Sequence, residues 1–174
     1  TVGAGLPVVM TLRNLIDTGD TPRSIAGLFS GTLAWLFNHY DGTRPFSELL
    51  AEARAAGYTE PDPRDDLSGT DVARKAVILA REAGWSLSLD DVEVENLVPV
   101  PLRDVPLPEF LQRLGEFDAP MAERLAAAKA ESKVLRYLAE VDASGRASVS
   151  LRAVDATHAA ASAQGTDNLF AFHT

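Results

Sequence analysis

The stretch KVLRYLAEVDASGRASVSLRAVD, Lys133–Asp155, decides the fold. Lys133 to Asp142 and Arg146 to Asp155 each alternate apolar and polar residues, the period that puts neighbouring side chains on opposite faces of a strand. Ala143-Ser144-Gly145 joins them with small residues suited to a tight turn, so the stretch reads as a β-hairpin. A last strand is expected at Asn168–His173 and a short one at Ser24–Phe29, while Asp90–Leu102 reads as extended and then proline-rich. Helical spacing appears at Val8–Thr18, Leu33–Tyr40, Phe46–Ala56, Gly69–Ala83, Pro108–Leu114 and Pro120–Ser132, with Gly19, Gly42, Gly57 and Gly84 as terminators and Ser30 as a cap. Between Thr59 and Ser68, Pro61 and Pro63 argue against regular helix. Helices lead and strands cluster late, an order that predicts an α+β fold: a mixed or antiparallel sheet with helices packed on one face.

Composition narrows the class. The chain has 174 residues, 46% of them apolar, which suits one domain over 1–174 with its own core. A net charge of −9 argues against nucleic acid as a partner, since phosphate binding needs a basic surface. No apolar run approaches the ~18 residues of a membrane span. The chain has no cysteine, which removes disulfides, thiolate metal sites and cysteine nucleophiles. No secretory leader is visible, and a cytoplasmic location is expected. The chain opens on Thr1 and stops within the apolar alternation ending at Phe172-His173-Thr174, so a piece of a longer protein is expected.

Chemistry concentrates in GYTEPDPRDDLSGTDVARK, residues 57–75, which holds Glu60, Asp62, Asp65, Asp66 and Asp71. Like charges crowded on a proline-stiffened support repel unless cations or solvent offset them. The spacing does not fit an EF-hand; a solvated acidic turn and a magnesium site both stay open. Asp71 and Lys75 are four apart on one helical face, opposite the stripe Val72, Ala73, Ala76, Val77, Leu79, Ala80 and Ala83. They read as a surface ion pair unless that face lines a cleft, in which case Lys75 could donate to a substrate oxygen. At Gly27–Thr32 a strand runs into a helix start, whose free N–H groups could hold a carboxylate. Gly3 and Gly5 match half of a dinucleotide fingerprint, but Val8 stands where the third glycine belongs. The same glycines could turn carbonyls inward on a cation. His39, His158 and His173 show no metal-ligand spacing.

TVGAGLPV at 1–8, GLFSGTLAWLFN at 27–38, GYTEPDPRDDLSGTDVARK at 57–75 and KVLRYLAEVD at 133–142 together resemble the homoserine dehydrogenases, in that family's order and over nearly the whole chain. The resemblance is closest to bacterial forms, including those fused behind an aspartokinase. It implies NAD(P)-dependent interconversion of L-aspartate 4-semialdehyde and L-homoserine, on the path to threonine, methionine and isoleucine. It places Glu60 and Asp66 at the amino-acid end of the substrate, Asp71 and Lys75 at the reacting oxygen, and Gly31, Thr32 and Tyr58 in the same pocket. Backbone oxygens of Val2, Ala4 and Leu6 would bind a structural sodium ion. Asp62 and Asp65 are assigned to structure. The resemblance further implies a homodimer formed through the sheet, a nucleotide-binding Rossmann half outside residues 1–174 that carries NAD or NADP, and no turnover by these residues alone. Two alternatives remain: a dimerisation or regulatory module without chemistry, and a divalent-metal hydrolase using the acidic loop.

Overall fold

The computed structural model describes residues 2–3 and 5–174. The hairpin forms where the alternation places it. β3 (Val134–Asp142) and β4 (Ala147–Val154) pair antiparallel, with Tyr137 opposite Leu151 and Ala139 opposite Val149. The turn is closed by Asp142, whose carboxylate accepts from the Ser144 backbone and hydroxyl and from Arg146. Those donors hold the Asp142 carboxyl down at about 2.

β1 (Ser24–Leu28) lies antiparallel between β3 and β5 (Leu169–His173), and β2 (Val92–Val94) runs parallel to β4. The five strands therefore lie in the order β2-β4-β3-β1-β5, a mixed sheet in an α+β fold, as the element order predicts. Only three residues of the extended reading at 90–102 join the sheet. A capping pair between Ser88 and Asp91 starts a 3-10 turn before them, and Pro99 and Pro101 direct a second one after them.

The remaining helices are α1 (Val8–Asp17), α2 (Gly31–His39), α3 (Phe46–Ala55), α4 (Pro63–Leu67), α5 (Thr70–Glu82), α6 (Leu107–Gln112) and α7 (Asp118–Ala130). α5 packs across β1 to β4, burying Val72, Ala73, Ala76, Val77, Leu79 and Ala80 as its periodicity requires. Behind it, Phe37, Phe46, Phe117 and Phe110 form a chain of ring contacts with centroids 5.7 to 6.1 Å apart. The opposite face of the sheet carries only a small apolar cluster, Leu28, Ala34, Leu138, Val154 and Ala160, and is otherwise polar and open. No described helix is long and apolar enough to cross a membrane.

The acidic segment departs from expectation. Residues 63–67 are helical, although the prolines argue against it. Pro63 occupies the first turn, where its missing N–H costs nothing, and Asp62 caps the helix by accepting from the Arg64 N–H. Asp62 also clasps the Arg64 guanidinium at 2.6 Å, which holds its carboxyl below the usual range. Arg64 then donates to Leu102 O and Val105 O and lies over the Phe110 ring, tying α4 to the proline-rich segment. Asp62 is thus structural, as expected.

α4 and α5 meet at Gly69, in the left-handed region at φ 71°. A Cβ there would lie 2.0 Å from Tyr137 Oη, which is buried and donates to Glu95 O at 2.6 Å. Gly69→Ala is therefore expected to lower the free energy of unfolding by about 2 kcal/mol or more. Gly57, also left-handed at φ 76°, faces open space. Gly57→Ala should cost only the conformational part, about 1–2 kcal/mol, and denaturant unfolding of the two variants measures the difference.

Candidate functional site

β1 ends at Leu28, and the chain passes through Phe29 and Ser30 into α2. The Ser30 hydroxyl accepts from Leu33 N–H at 3.2 Å, so the helix begins where a side-chain cap can satisfy it. The 57–75 segment folds against this junction. The Thr32 hydroxyl donates to Tyr58 O at 2.5 Å, and the Lys75 ammonium donates to Phe29 O at 2.9 Å. Strand end, helix start, acidic turn and α5 are thereby held together through two chain-distant contacts.

Between them lies a cleft of about 410 Å³ whose walls include Ser30, Glu60, Asp65, Asp66, Asp71 and Arg74. The structure brings Glu60, Asp66 and Asp71 into one lining, as the sequence predicts. Gly31, Thr32 and Lys75 are not in the lining itself: Thr32 and Lys75 bond to Tyr58 O, Phe29 O and Asp71, and Gly31 follows the lining residue Ser30 in the chain. Tyr58 contributes its carbonyl, while its half-exposed ring rests on Trp35, centroids 5.4 Å apart.

Asp66 is the most perturbed of these acids. Burial pushes its carboxyl up, and the negative charges of Glu60 and Asp65 push the same way; the Glu60 N–H, 2.8 Å from Asp66 Oδ2, pulls it down without cancelling the rise. The same contact orients the backbone of Glu60, so one carboxylate aims the other.

Lys75 corrects the helical-wheel reading. It is not on the face away from the core: its side chain is 21% exposed against 61% for Asp71, its partner at 2.8 Å. The long aliphatic stem lies along the edge of the core stripe and only the ammonium emerges, at the end of β1. Asp71 is too exposed for the pair to be worth more than a few tenths of a kcal/mol. Its consequence is orientation, because Asp71 and Phe29 O occupy two of the three donor directions of the ammonium and leave the third without a protein partner among the described residues.

Asp65 departs from its structural assignment. It is exposed, lines the cleft and makes no side-chain hydrogen bond among the described residues. Arg74, Ser68 and Thr70 also line the cleft; periodicity places Arg74 on the polar face of α5 but carries no signal for its part in this wall. Of the cation-site residues, Ala4 lies outside the described residues. Val2 is buried, and Leu6 O accepts from Val8 N–H at 2.8 Å, keeping one lone pair. Pro7 then leads straight into α1, and Val8, where a dinucleotide-binding turn has its third glycine, is the first residue of that helix. No group of three His, Asp or Glu side chains among the described residues comes together as a metal site.

The fold is that of an α+β protein, and its acid-lined cleft has the size for a small polar molecule. A family model described as homoserine dehydrogenase matches residues 7–174. A maize chloroplastic bifunctional aspartokinase/homoserine dehydrogenase 2 is 53% identical over 176 residues, covering all of this chain and 19% of that protein. A homoserine dehydrogenase of Paracoccidioides brasiliensis is 46% identical over 185 residues, covering all of this chain and 50% of its own length. A crystal structure from Candida auris superimposes with a TM-score of 0.93 at 42% identity, covering 99% of this chain and 50% of that one. The chain belongs to the homoserine dehydrogenase family, whose members are oxidoreductases. It spans half or less of the length of these relatives.

The raised Asp66 carboxyl has a consequence for stability. Its folded pKa lies above the ordinary 3.8, so the native state holds the proton more tightly than the unfolded chain. Ionised Asp66 therefore costs stability, a cost absent below pH 3.8 and complete once the pH exceeds the folded pKa. Asp66→Asn keeps an acceptor for the Glu60 N–H. It should unfold at a higher temperature than the parent at pH 7, and calorimetry should show that gain shrinking as the pH falls toward 4.

Proposed function

We propose that residues 1–174 form one domain, the substrate-binding and dimerisation part of a homoserine dehydrogenase that interconverts L-aspartate 4-semialdehyde and L-homoserine in amino-acid biosynthesis. The observation that supports this reading is the gathering of Glu60, Asp66, Asp71 and the Ser30 cap of α2 around one cleft, with the Lys75 ammonium held against Asp71 of that lining and Phe29 O beside it. The substrate has an ammonium, a carboxylate and a carbonyl. Glu60, oriented through Asp66, suits the ammonium; the first turn of α2 at Gly31 and Thr32 suits the carboxylate. Lys75, with two of its donor directions taken by Asp71 and Phe29 O, presents the third to the carbonyl oxygen. There it stabilises the alkoxide that develops on reduction and can pass it a proton; in the reverse direction it takes the proton back.

NADH or NADPH would supply the hydride on reduction, and NAD or NADP would accept it in the reverse direction. The glycines at 3 and 5 do not fit that role, so the nucleotide-binding half is assigned to sequence outside 1–174. A structural sodium ion on the carbonyls of Val2, Ala4 and Leu6 belongs to the same reading, supported by the left-handed Gly3, φ 78°, and the spare lone pair of Leu6 O. The divalent-metal hydrolase has no ligand cluster among the described residues to support it.

In the full-length protein, Lys75→Ala should lower kcat roughly 10²–10³-fold, the usual loss of one preorganised donor. Glu60→Gln should act chiefly on the KM of the amino-acid substrate, and residues 1–174 alone should show no turnover. NADPH oxidation with aspartate semialdehyde measures all three; unaltered kcat in Lys75→Ala would favour a module without chemistry.

A homodimer is proposed through the open sheet face, which presents small side chains, Ser24, Ala26 and Ser148, over a cavity of about 730 Å³. The same face also carries Glu93, Glu140, Arg146 and Arg152, so a second sheet packed on it would meet small side chains flanked by charged ones. Ser148→Trp should block that approach and convert dimers to monomers in sedimentation velocity.

A further inference from the structure

Arg136 is the only charged residue among the described ones that is buried, at 7% exposure. It projects from β3 on the face opposite α5, across from Arg152. Its guanidinium bonds to no carboxylate. It donates instead to four backbone carbonyls: Phe37 O at 3.0 Å, Leu135 O at 2.8 Å, Ala160 O at 2.9 Å and Ala161 O at 3.1 Å. A buried guanidinium is costly unless its donors are satisfied. Here the fork spans three chain segments, the last turn of α2, β3 and the 3-10 turn Ala159–Ser162.

The segment that follows this turn runs back along α2. Asn38 Nδ2 donates to Gly165 O at 2.9 Å, while Asn38 Oδ1 is buried without a partner. An unpaired buried acceptor is costly, so the bond to Gly165 is the polar contact that holds this side chain in place. At the other end of the helix, Thr166 O faces Gly31 closely enough that a Cβ on Gly31 would lie 3.3 Å from it. A turn between Gln164 and Asp167, closed by two hydrogen bonds, keeps Thr166 in place. The strap at 159–167 thus touches α2 at both ends and at Asn38, and Arg136 ties its start to the C-terminal turn of the helix.

We propose that Arg136 is a positioning residue: by clamping the strap to α2, it sets where the first turn at Gly31 and Thr32 stands, and so the geometry in which the substrate carboxylate is received. The proposal rests on the substrate-binding reading for its functional half and on the contacts alone for its mechanical half. Lysine cannot replace the fork, because one ammonium cannot reach carbonyls spread along a planar guanidinium.

The test uses full-length enzyme with Arg136→Lys and, in case that variant folds poorly, Asn38→Ala. Hydrogen exchange of residues 30–36 should quicken in both, more in Arg136→Lys, while exchange within β3 and β4 stays as in the parent. KM for aspartate semialdehyde should rise roughly tenfold in Arg136→Lys, with KM for NADPH unchanged. A purely structural arginine would reduce the amount of active protein and leave the KM of the remainder as it was. Unchanged exchange at 30–36 overturns the proposal whatever the kinetics. Quickened exchange with unchanged substrate KM overturns its functional half. A parent enzyme inactive on aspartate semialdehyde overturns the substrate reading, while the exchange experiment still decides the clamp.

Discussion

The position of β1 is the constraint on which the rest depends. A five-residue strand from the first thirty residues is inserted between β3 and β5, which come more than a hundred residues later. The insertion is close: a Cβ on Gly27 would lie 1.9 Å from Leu169 O. Only a residue without a side chain lets β5 approach there. Once β1 is held on both edges, Phe29 O, Ser30 and the first turn of α2 have fixed positions at the sheet's end. Lys75 and Thr32 can then reach them from and to the acidic segment.

The acidic segment shows two opposite treatments of charge within five residues. Asp62 is fully engaged by Arg64 and its carboxyl is lowered, which makes it a fastener. Asp66 is partly buried beside other acids and its carboxyl is raised, which makes it a group held at a cost. A cost of this kind is expected where stability has been given up for binding, since a ligand cation relieves it. The fastener holds the scaffold from the side of Phe110, and the strained group faces the cleft.

Much of this was legible in the sequence. The hairpin, the buried stripe of α5, the Ser30 cap and four of the five strands follow from periodicity and turn chemistry, because those signals are local. The acid-and-lysine stretch stood out by composition, but composition alone favoured a solvated surface turn over a site. The α4 helix escaped because proline is judged a breaker, whereas at a first helical turn it is compatible. Lys75 was placed on the outer face because a helical wheel locates Cα atoms, not the end of a four-carbon stem.

What the sequence by itself determined is which of the longer segments become helix or strand, and that Glu60, Asp66, Asp71 and Lys75 lie close together along the chain. Only the tertiary structure decided that β1 separates β3 from β5, that Phe29 O meets the Lys75 ammonium, that Asp65 faces the cleft, and that Arg136 gathers carbonyls from three segments. The physical reason is range. Backbone propensity and periodicity act over a turn or a few residues, whereas these contacts join positions far apart in the chain and exist only once the sheet has assembled.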